Sequence, residues 1–272
     1  MRFLLSILLL VSFVTISASQ PIQFEDVTTQ SGLNDPLRGL MGAIPNQHQD
    51  SDRYLWKGGK WLRALDGYES GPSATARATA RALAKVDGAE AVVLVEGISD
   101  QIAVETAAAG HGRDLEAERV VVVPMGGAHA IGRFMTRLGP LGSRVRLAGL
   151  CDLREEEIFR RGLVASQIGS PRTRTDMEQL GFYVCVDDLE DELIRAVGTS
   201  GVEALFGSQG DLRSFRSLQA QPAWRDRELG AQMRRFLGSG SRRKLRYARL
   251  LVDSAVARNA LPRPLDELIA AV

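Results

Sequence analysis

Cysteine is nearly absent: Cys151 and Cys185 are the only two in 272 residues, too few for the disulfide framework of a small secreted domain. Both sit in apolar runs and are read as buried, reduced thiols. Histidine is almost as scarce, and His48, His111 and His129 are too dispersed in sequence for a zinc motif. Aromatic residues make up only 6% of the chain, so the core has to be packed mainly from aliphatic side chains. No Gly-x-x-x-x-Gly-Lys-Ser/Thr occurs, which excludes a phosphate loop of that type. No Gly-x-Ser-x-Gly occurs either, which excludes a hydrolase nucleophile elbow. The glycines from Gly126 to Gly132 lie after a second strand and lack the spacing of a dinucleotide fingerprint. After the first twenty residues no apolar run reaches membrane-spanning length. The net charge of +1 names no class of partner.

What is present begins with a contradiction. Met1-Arg2, the apolar residues 3–16 and the small residues 17–19 form a charged start, a hydrophobic stretch and a cleavage-like end. This is the pattern of a secretory signal peptide over residues 1–19; a buried terminal helix or strand is the competing reading. Residues 20–73 are rich in Gly, Pro, Asn, Asp and Gln and read as loop, with one short strand near residues 54–62. Within them, Phe24-Glu25-Asp26-Val27-Thr28-Thr29-Gln30-Ser31-Gly32-Leu33 resembles the opening of exported FG-GAP repeat proteins. The Asp-rich calcium loops of that class do not follow, so the resemblance carries no function.

From Ala74 the texture changes. Residues 74–86 alternate Ala with Arg and Lys at helical spacing. Residues 91–95, 120–123, 145–150 and 182–186 are short apolar, β-branched runs, as buried parallel strands require. Between and after them, residues 102–109, 128–138, a charged stretch from Arg154 and residues 188–197 carry helical periodicity. This alternation predicts an α/β fold over 74–198, a parallel sheet with helices on both faces. Residues 199–272 show no strand; 202–206, 232–237, 245–257 and 265–272 read as helices, giving a small all-helical C-terminal region. Charge splits between the two parts. Residues 86–198 hold 12 basic and 19 acidic side chains, a net of −7, and residues 199–272 hold 13 and 7, a net of +6. An acidic sheet domain beside a basic tail suits a metal site that handles a polyanion; charges scattered over solvated helices are the plainer alternative.

In an open parallel sheet, functional groups collect at the carboxyl ends of the strands. Here acids stand at three of them: Glu96 and Asp100 after the first strand, Asp152, Glu155, Glu156 and Glu157 after the third, and Asp187, Asp188, Glu190, Asp191 and Glu192 after the fourth. Carboxylates converging from neighbouring strands repel one another unless a cation lies between them. Oxygen ligands of this kind suit Mg2+ or Mn2+, and those ions suit phosphodiester chemistry. Asp100 also reads as a helix N-cap, Glu155, Glu156 and Glu157 as acids favoured in a first turn, and Asp191 and Glu192 as a solvated face. Glu96 and Asp152 resist such readings, because a charge ending a buried strand is costly without a partner.

The run Val92-Val93-Leu94-Val95-Glu96-Gly97-Ile98-Ser99-Asp100 resembles the opening motif of TOPRIM domains, found in topoisomerases, bacterial primases and the overcoming-lysogenization-defect (OLD) nucleases. Val121-Val122-Val123-Pro124-Met125-Gly126-Gly127, Leu147-Ala148-Gly149-Leu150-Cys151-Asp152, the stretch 182–193 and Arg242-Arg243-Lys244-Leu245-Arg246-Tyr247-Ala248 bring the resemblance closest to the OLD group, in its nucleotidyl transferase/hydrolase branch. The resemblance covers residues 74–272 and implies a Rossmann-like TOPRIM fold and metal-dependent cleavage of DNA or RNA. It implies that Glu96 holds a metal and takes a proton-transfer role, with Asp100 nearby. Asp152 matches the first acid of an Asp-x-Asp element, and Asp188 and Glu190 match a later Asp-x-Glu metal pair. Lys244 falls where the nucleases carry a basic residue that stabilises transition-state charge. Gly97, Gly126 and Gly127 would form tight backbone turns, and Arg242, Arg243, Lys244 and Arg246 would meet the nucleic acid.

Two departures stand out. The second acid of Asp-x-Asp is Arg154 here, so Glu155 or Glu156 would have to replace it; if neither does, a two-metal site becomes a one-metal site. The nucleases are usually fused to an ATPase, so a nucleotide-driven step would need a separate ATPase subunit, and a homodimer is a further expected partner. Two functions follow: a metal-dependent endonuclease or nucleotidyl transferase, or a non-catalytic TOPRIM module that binds nucleic acid or a partner ATPase. The TOPRIM resemblance implies a cytoplasmic protein and the leader implies export, so the beginning and the body are expected to have separate histories.

Overall fold

The computed structural model describes residues 54–57, 60–63, 68 and 73–272. The signal-like segment 1–19, the FG-GAP-like residues 24–33 and most of the loop-rich stretch lie outside the described residues. Where one strand was expected there are two, β1 (Tyr54–Lys57) and β2 (Lys60–Arg63), paired antiparallel with Trp56 opposite Trp61.

Helix α1 (Ala74–Leu83) buries Ala74, Ala78 and Ala82 at four-residue spacing and leaves its arginines outward. The run 91–95 is strand β3 (Ala91–Val95), with every residue buried. A run without alternation is what burial on both faces demands. It is flanked by β4 (Val120–Pro124) and β5 (Arg146–Cys151), and β6 (Phe182–Val184) adds to β5. All three pairings are parallel, in the order β4-β3-β5-β6. The chain thus leaves β3 to one side for β4, then returns across it to β5. The point where the direction reverses lies between β3 and β5, and their carboxyl ends carry Glu96 and Asp152.

Alternate residues of β3 divide the interior. Ala91, Val93 and Val95 pack with α2 (Ile98–Gly110), α6 (Leu189–Val197) and the C-terminal helices. Val92 and Leu94 pack with α3 (Ile131–Leu138), α4 (Glu156–Ala165) and α5 (Arg174–Gln179). Helices therefore cover both faces, as the alternation predicted. Cys151 and Cys185 are buried free thiols that belong to opposite cores.

The C-terminal region is helical throughout: α7 (Thr199–Ser208), α8 (Leu212–Gln219), α9 (Leu229–Leu237), α10 (Ser241–Ala257) and α11 (Arg263–Ala271). Phe206 anchors it, with ring centroids 4.9 Å from Phe215, 4.9 Å from Phe236 and 5.2 Å from Tyr247. These are edge and tilted geometries that aromatic quadrupoles favour. Helix α10 packs along α2 and α6, which carries its first turn to the acidic end of the sheet. Among the described residues, no helix is long and apolar enough to cross a membrane.

Candidate metal centre

Glu96 follows directly on β3, and its backbone is fixed by the next strand's exit. The N–H groups of Gly126 and Gly127 donate to its carbonyl at 3.0 and 3.2 Å. Those glycines have φ of 80° and 121°, values that disfavour any side chain, so the expected tight turn after β4 is present. Gly97 differs from expectation. Its φ of −142° is ordinary extended backbone, and it serves as the N-cap of α2. Its N–H donates to Asp100 Oδ2 at 2.8 Å, so Asp100 bonds back from inside the first turn instead of capping it.

Asp152 directly follows β5, and a short 3-10 turn over Leu153–Glu155 comes next. That turn sends Arg154 outward to solvent and brings Glu155 back toward the strand ends. Glu96, Asp152 and Glu155 each present a carboxylate oxygen within 4.8 Å of the others. Glu155 Oε2 is buried and accepts no hydrogen bond from the described residues. Glu156 turns elsewhere, pairing with Arg160 and, at 2.8 Å, with Arg174. Of the two candidates for the missing acid, only Glu155 joins the trio.

The β6 arm is arranged differently. Asp188 caps α6 by accepting the Asp191 N–H at 2.8 Å, and its second oxygen lies 3.3 Å from Arg234. Glu190 pairs with Lys244 at 2.9 Å. The Leu153 N–H donates to the Asp187 carbonyl at 3.0 Å, tying this arm to the end of β5. Glu192, read as solvated, is buried; it accepts the Val186 N–H at 2.8 Å and pairs with Arg195. Arg234 was not anticipated: its sequence context is a plain amphipathic helix with no motif.

The four basic residues of α10 diverge, because the helix begins four residues before the expected position 245 and turns each through about 100° from the last. Arg242 is exposed. Arg243 lies 4.0 Å above the Phe236 ring and 3.6 Å from Asp211. Lys244 faces the acids. Arg246 is only 8% exposed and pairs with Asp211, which also accepts the Tyr247 hydroxyl at 2.9 Å. Arg246 therefore holds the fold together and does not face a polyanion.

The electrostatics follow from crowding. Burial first, then repulsion from Asp100, Asp188, Glu190 and Glu155, pushes Asp152 up to about 8. Burial, then Glu190, pushes Asp100 up to about 7 against the lowering effect of Lys244. Glu96 is raised by burial and by Glu155, and Asp188 by burial. Burial pulls Lys244 down, but Glu190, Asp100 and Asp152 outweigh it and hold the ammonium above its usual range. The donor set is all oxygen, partly desolvated and over-supplied with negative charge, which fits a hard divalent cation.

Residues 89–153, the stretch from the end of α1's connection to one residue past Asp152, match the overcoming lysogenization defect protein-like TOPRIM domain. The C-terminal region of the Burkholderia pseudomallei OLD protein is 18% identical over 67% of this chain and 96% of its own, with a TM-score of 0.48. That of the Xanthomonas campestris pv. campestris OLD protein is 21% identical over 67% and 96%, with a TM-score of 0.46. No curated protein matches the chain. With the parallel sheet, the switch-point acids and the sequence match in one place, residues 89–153 are an OLD-like TOPRIM domain.

Proposed function

We propose that the protein carries out metal-dependent phosphodiester chemistry on nucleic acid, as an endonuclease or nucleotidyl transferase. The observation that carries this reading is the Glu96–Asp152–Glu155 trio at the switch point of an OLD-like TOPRIM sheet, with one oxygen of Glu155 buried and unpartnered. These three residues would hold Mg2+ or Mn2+. When bound, such an ion supplies Lewis-acid polarisation of the phosphodiester and lowers the pKa of a coordinated water. Glu96, whose carboxyl burial and the neighbouring Glu155 push upward from its ordinary range, is suited to move a proton at the reacting oxygen. Lys244, on the rim of the site, stabilises charge that develops on the phosphate. Arg242 offers a solvent-facing cation on the same helix turn for the backbone of the substrate.

Plasmid nicking tests the reading, with Mg2+, Mn2+ or EDTA and with Glu96→Ala alongside the wild type. Nicking should need the metal and fall by about 10²-fold or more in Glu96→Ala. Duplex binding that persists without nicking under any metal would instead establish a non-catalytic binding module, the reading that Arg154 favours.

A further inference from the structure

Four large aliphatic side chains are exposed among the described residues: Leu141, Leu153, Val164 and Val186. Leu141 follows α3 and Val164 lies in the last turn of α4, at the far ends of helices that run away from the acidic end of the sheet. Leu153 and Val186 stand at that acidic end itself. Two residues earlier on their strands, Cys151 and Val184 are register partners and are buried in the core under α4 and α5. Leu153 and Val186 carry the same two rows past the end of the sheet, where they are 39% and 53% exposed. The Leu153 N–H, bonded at 3.0 Å to the Asp187 carbonyl, clamps the two turns side by side. Asp152 precedes Leu153 directly, so their Cα atoms are about 3.8 Å apart. On the other side of Leu153 stands Arg154, exposed and, among the described residues, without an ion-pair partner.

A phosphodiester held at Glu96, Asp152 and Glu155 would bring a neighbouring nucleotide over this aliphatic step. Leu153 and Val186 have no side-chain hydrogen-bonding group, so they cannot read the donors and acceptors that a base pair displays in a groove. What an aliphatic surface can take is the flat face of a base, and in a continuous duplex both faces are covered by stacking. Arg154 supplies a positive charge for the adjoining phosphate. We infer that Leu153 and Val186, with Arg154 beside them, form a subsite for an unstacked nucleotide next to the phosphodiester at the metal centre. The preferred substrate is then single-stranded nucleic acid, whose base faces are open without the cost of unpairing. The inference rests on the metal-centred reading above and gives it a substrate class.

Fluorescence anisotropy on the full chain tests it, with a labelled single strand of mixed sequence and its duplex, and with Ca2+ on the acids in place of Mg2+. The wild type should hold the single strand more tightly than the duplex. Leu153→Ser combined with Val186→Ser should weaken single-strand binding about tenfold and leave duplex binding unchanged. Arg154→Gln should flatten the salt dependence of single-strand binding by about 0.7 unit of slope. Leu141→Ser and Val164→Ser, at the exposed aliphatic positions away from the centre, should change neither affinity. Duplex binding as tight as single-strand binding in the wild type would overturn the inference. So would a double variant that loses both ligands equally, or one that loses neither, which would leave a protein as the occupant of the step. Should the double variant fail to fold, the wild-type preference decides, single strand in favour and no preference against. Calorimetric titration of Mn2+ separates the inference from the reading beneath it. Normal ion binding without a strand preference sinks the inference alone, and no ion binding sinks both.

Discussion

At the scale of single residues, the site is decided by where a side chain is sent by its turn. Arg154, Glu155 and Glu156 are adjacent in sequence, and the 3-10 turn after β5 sends them to solvent, to the acid trio and to Arg160 and Arg174 respectively. Glu155→Gln is therefore expected to weaken Mn2+ binding by at least about tenfold in calorimetric titration. Glu156→Gln should leave that affinity unchanged and instead lower the melting temperature, since Arg160 and Arg174 lose a half-buried partner at a cost of about 1–3 kcal/mol. The reverse pattern would show that Glu156 is the ligand. The arginines of α10 divide in the same way. Arg242→Ala should weaken duplex binding and flatten its dependence on salt by about one unit of slope. Arg246→Ala should leave that slope alone and destabilise the protein by about 3–5 kcal/mol, because Asp211 is left buried without its main partner.

At the scale of elements, the two glycine-bearing exits from the sheet have different physical roles. Gly127→Ala places a side chain at φ 121°, at a cost of about 1–3 kcal/mol. It also disturbs the N–H groups that grip the Glu96 carbonyl, so metal affinity should fall together with thermal stability. Gly97→Ala faces no such strain: an added Cβ would meet only Asp100 Oδ2, at 3.7 Å. Its melting temperature should hold or rise slightly, which thermal denaturation of the two variants would show side by side. Sequence reading treated these glycines alike, since a motif records residue type and not φ. The strands were legible because a fully buried parallel strand leaves an unbroken apolar run. Helices α5 and α8 were not: Arg174–Gln179 and Leu212–Gln219 are short and mostly polar, and each buries only one or two residues. Their helical state comes from docking, and that leaves little periodicity to read. The start of α10 was missed for a related reason. Its first turn is Arg-Arg-Lys, which reads as surface until Glu190 and Asp211 are known to lie opposite.

At the scale of the whole molecule, the acidic centre is a place where folding and function oppose one another. Assembling the sheet forces Asp100 and Asp152 together in a partly desolvated corner, and without a cation the fold answers by raising them to about 7 and about 8. In the unfolded chain both titrate near about 4. Between those limits the metal-free native state binds more protons than the unfolded state, so its stability is greatest at the acidic end and declines as pH rises through about 7 and then about 8. This is opposite in sign to a carboxylate held low by a salt bridge. A divalent ion reverses the balance. It requires the deprotonated carboxylates, so its own stabilising effect must grow over the same window. Thermal melts with excess EDTA should therefore show a melting temperature that falls from about pH 5 to about pH 8. Melts with saturating Mg2+ should be flatter, and the gap between the two series should widen steadily toward alkaline pH. A metal-free melting temperature that rises across this range would mean that the acids are neutralised by protein cations alone. A gap that stays constant with pH would mean that the ion stabilises the chain at some place other than Asp152 and its neighbours.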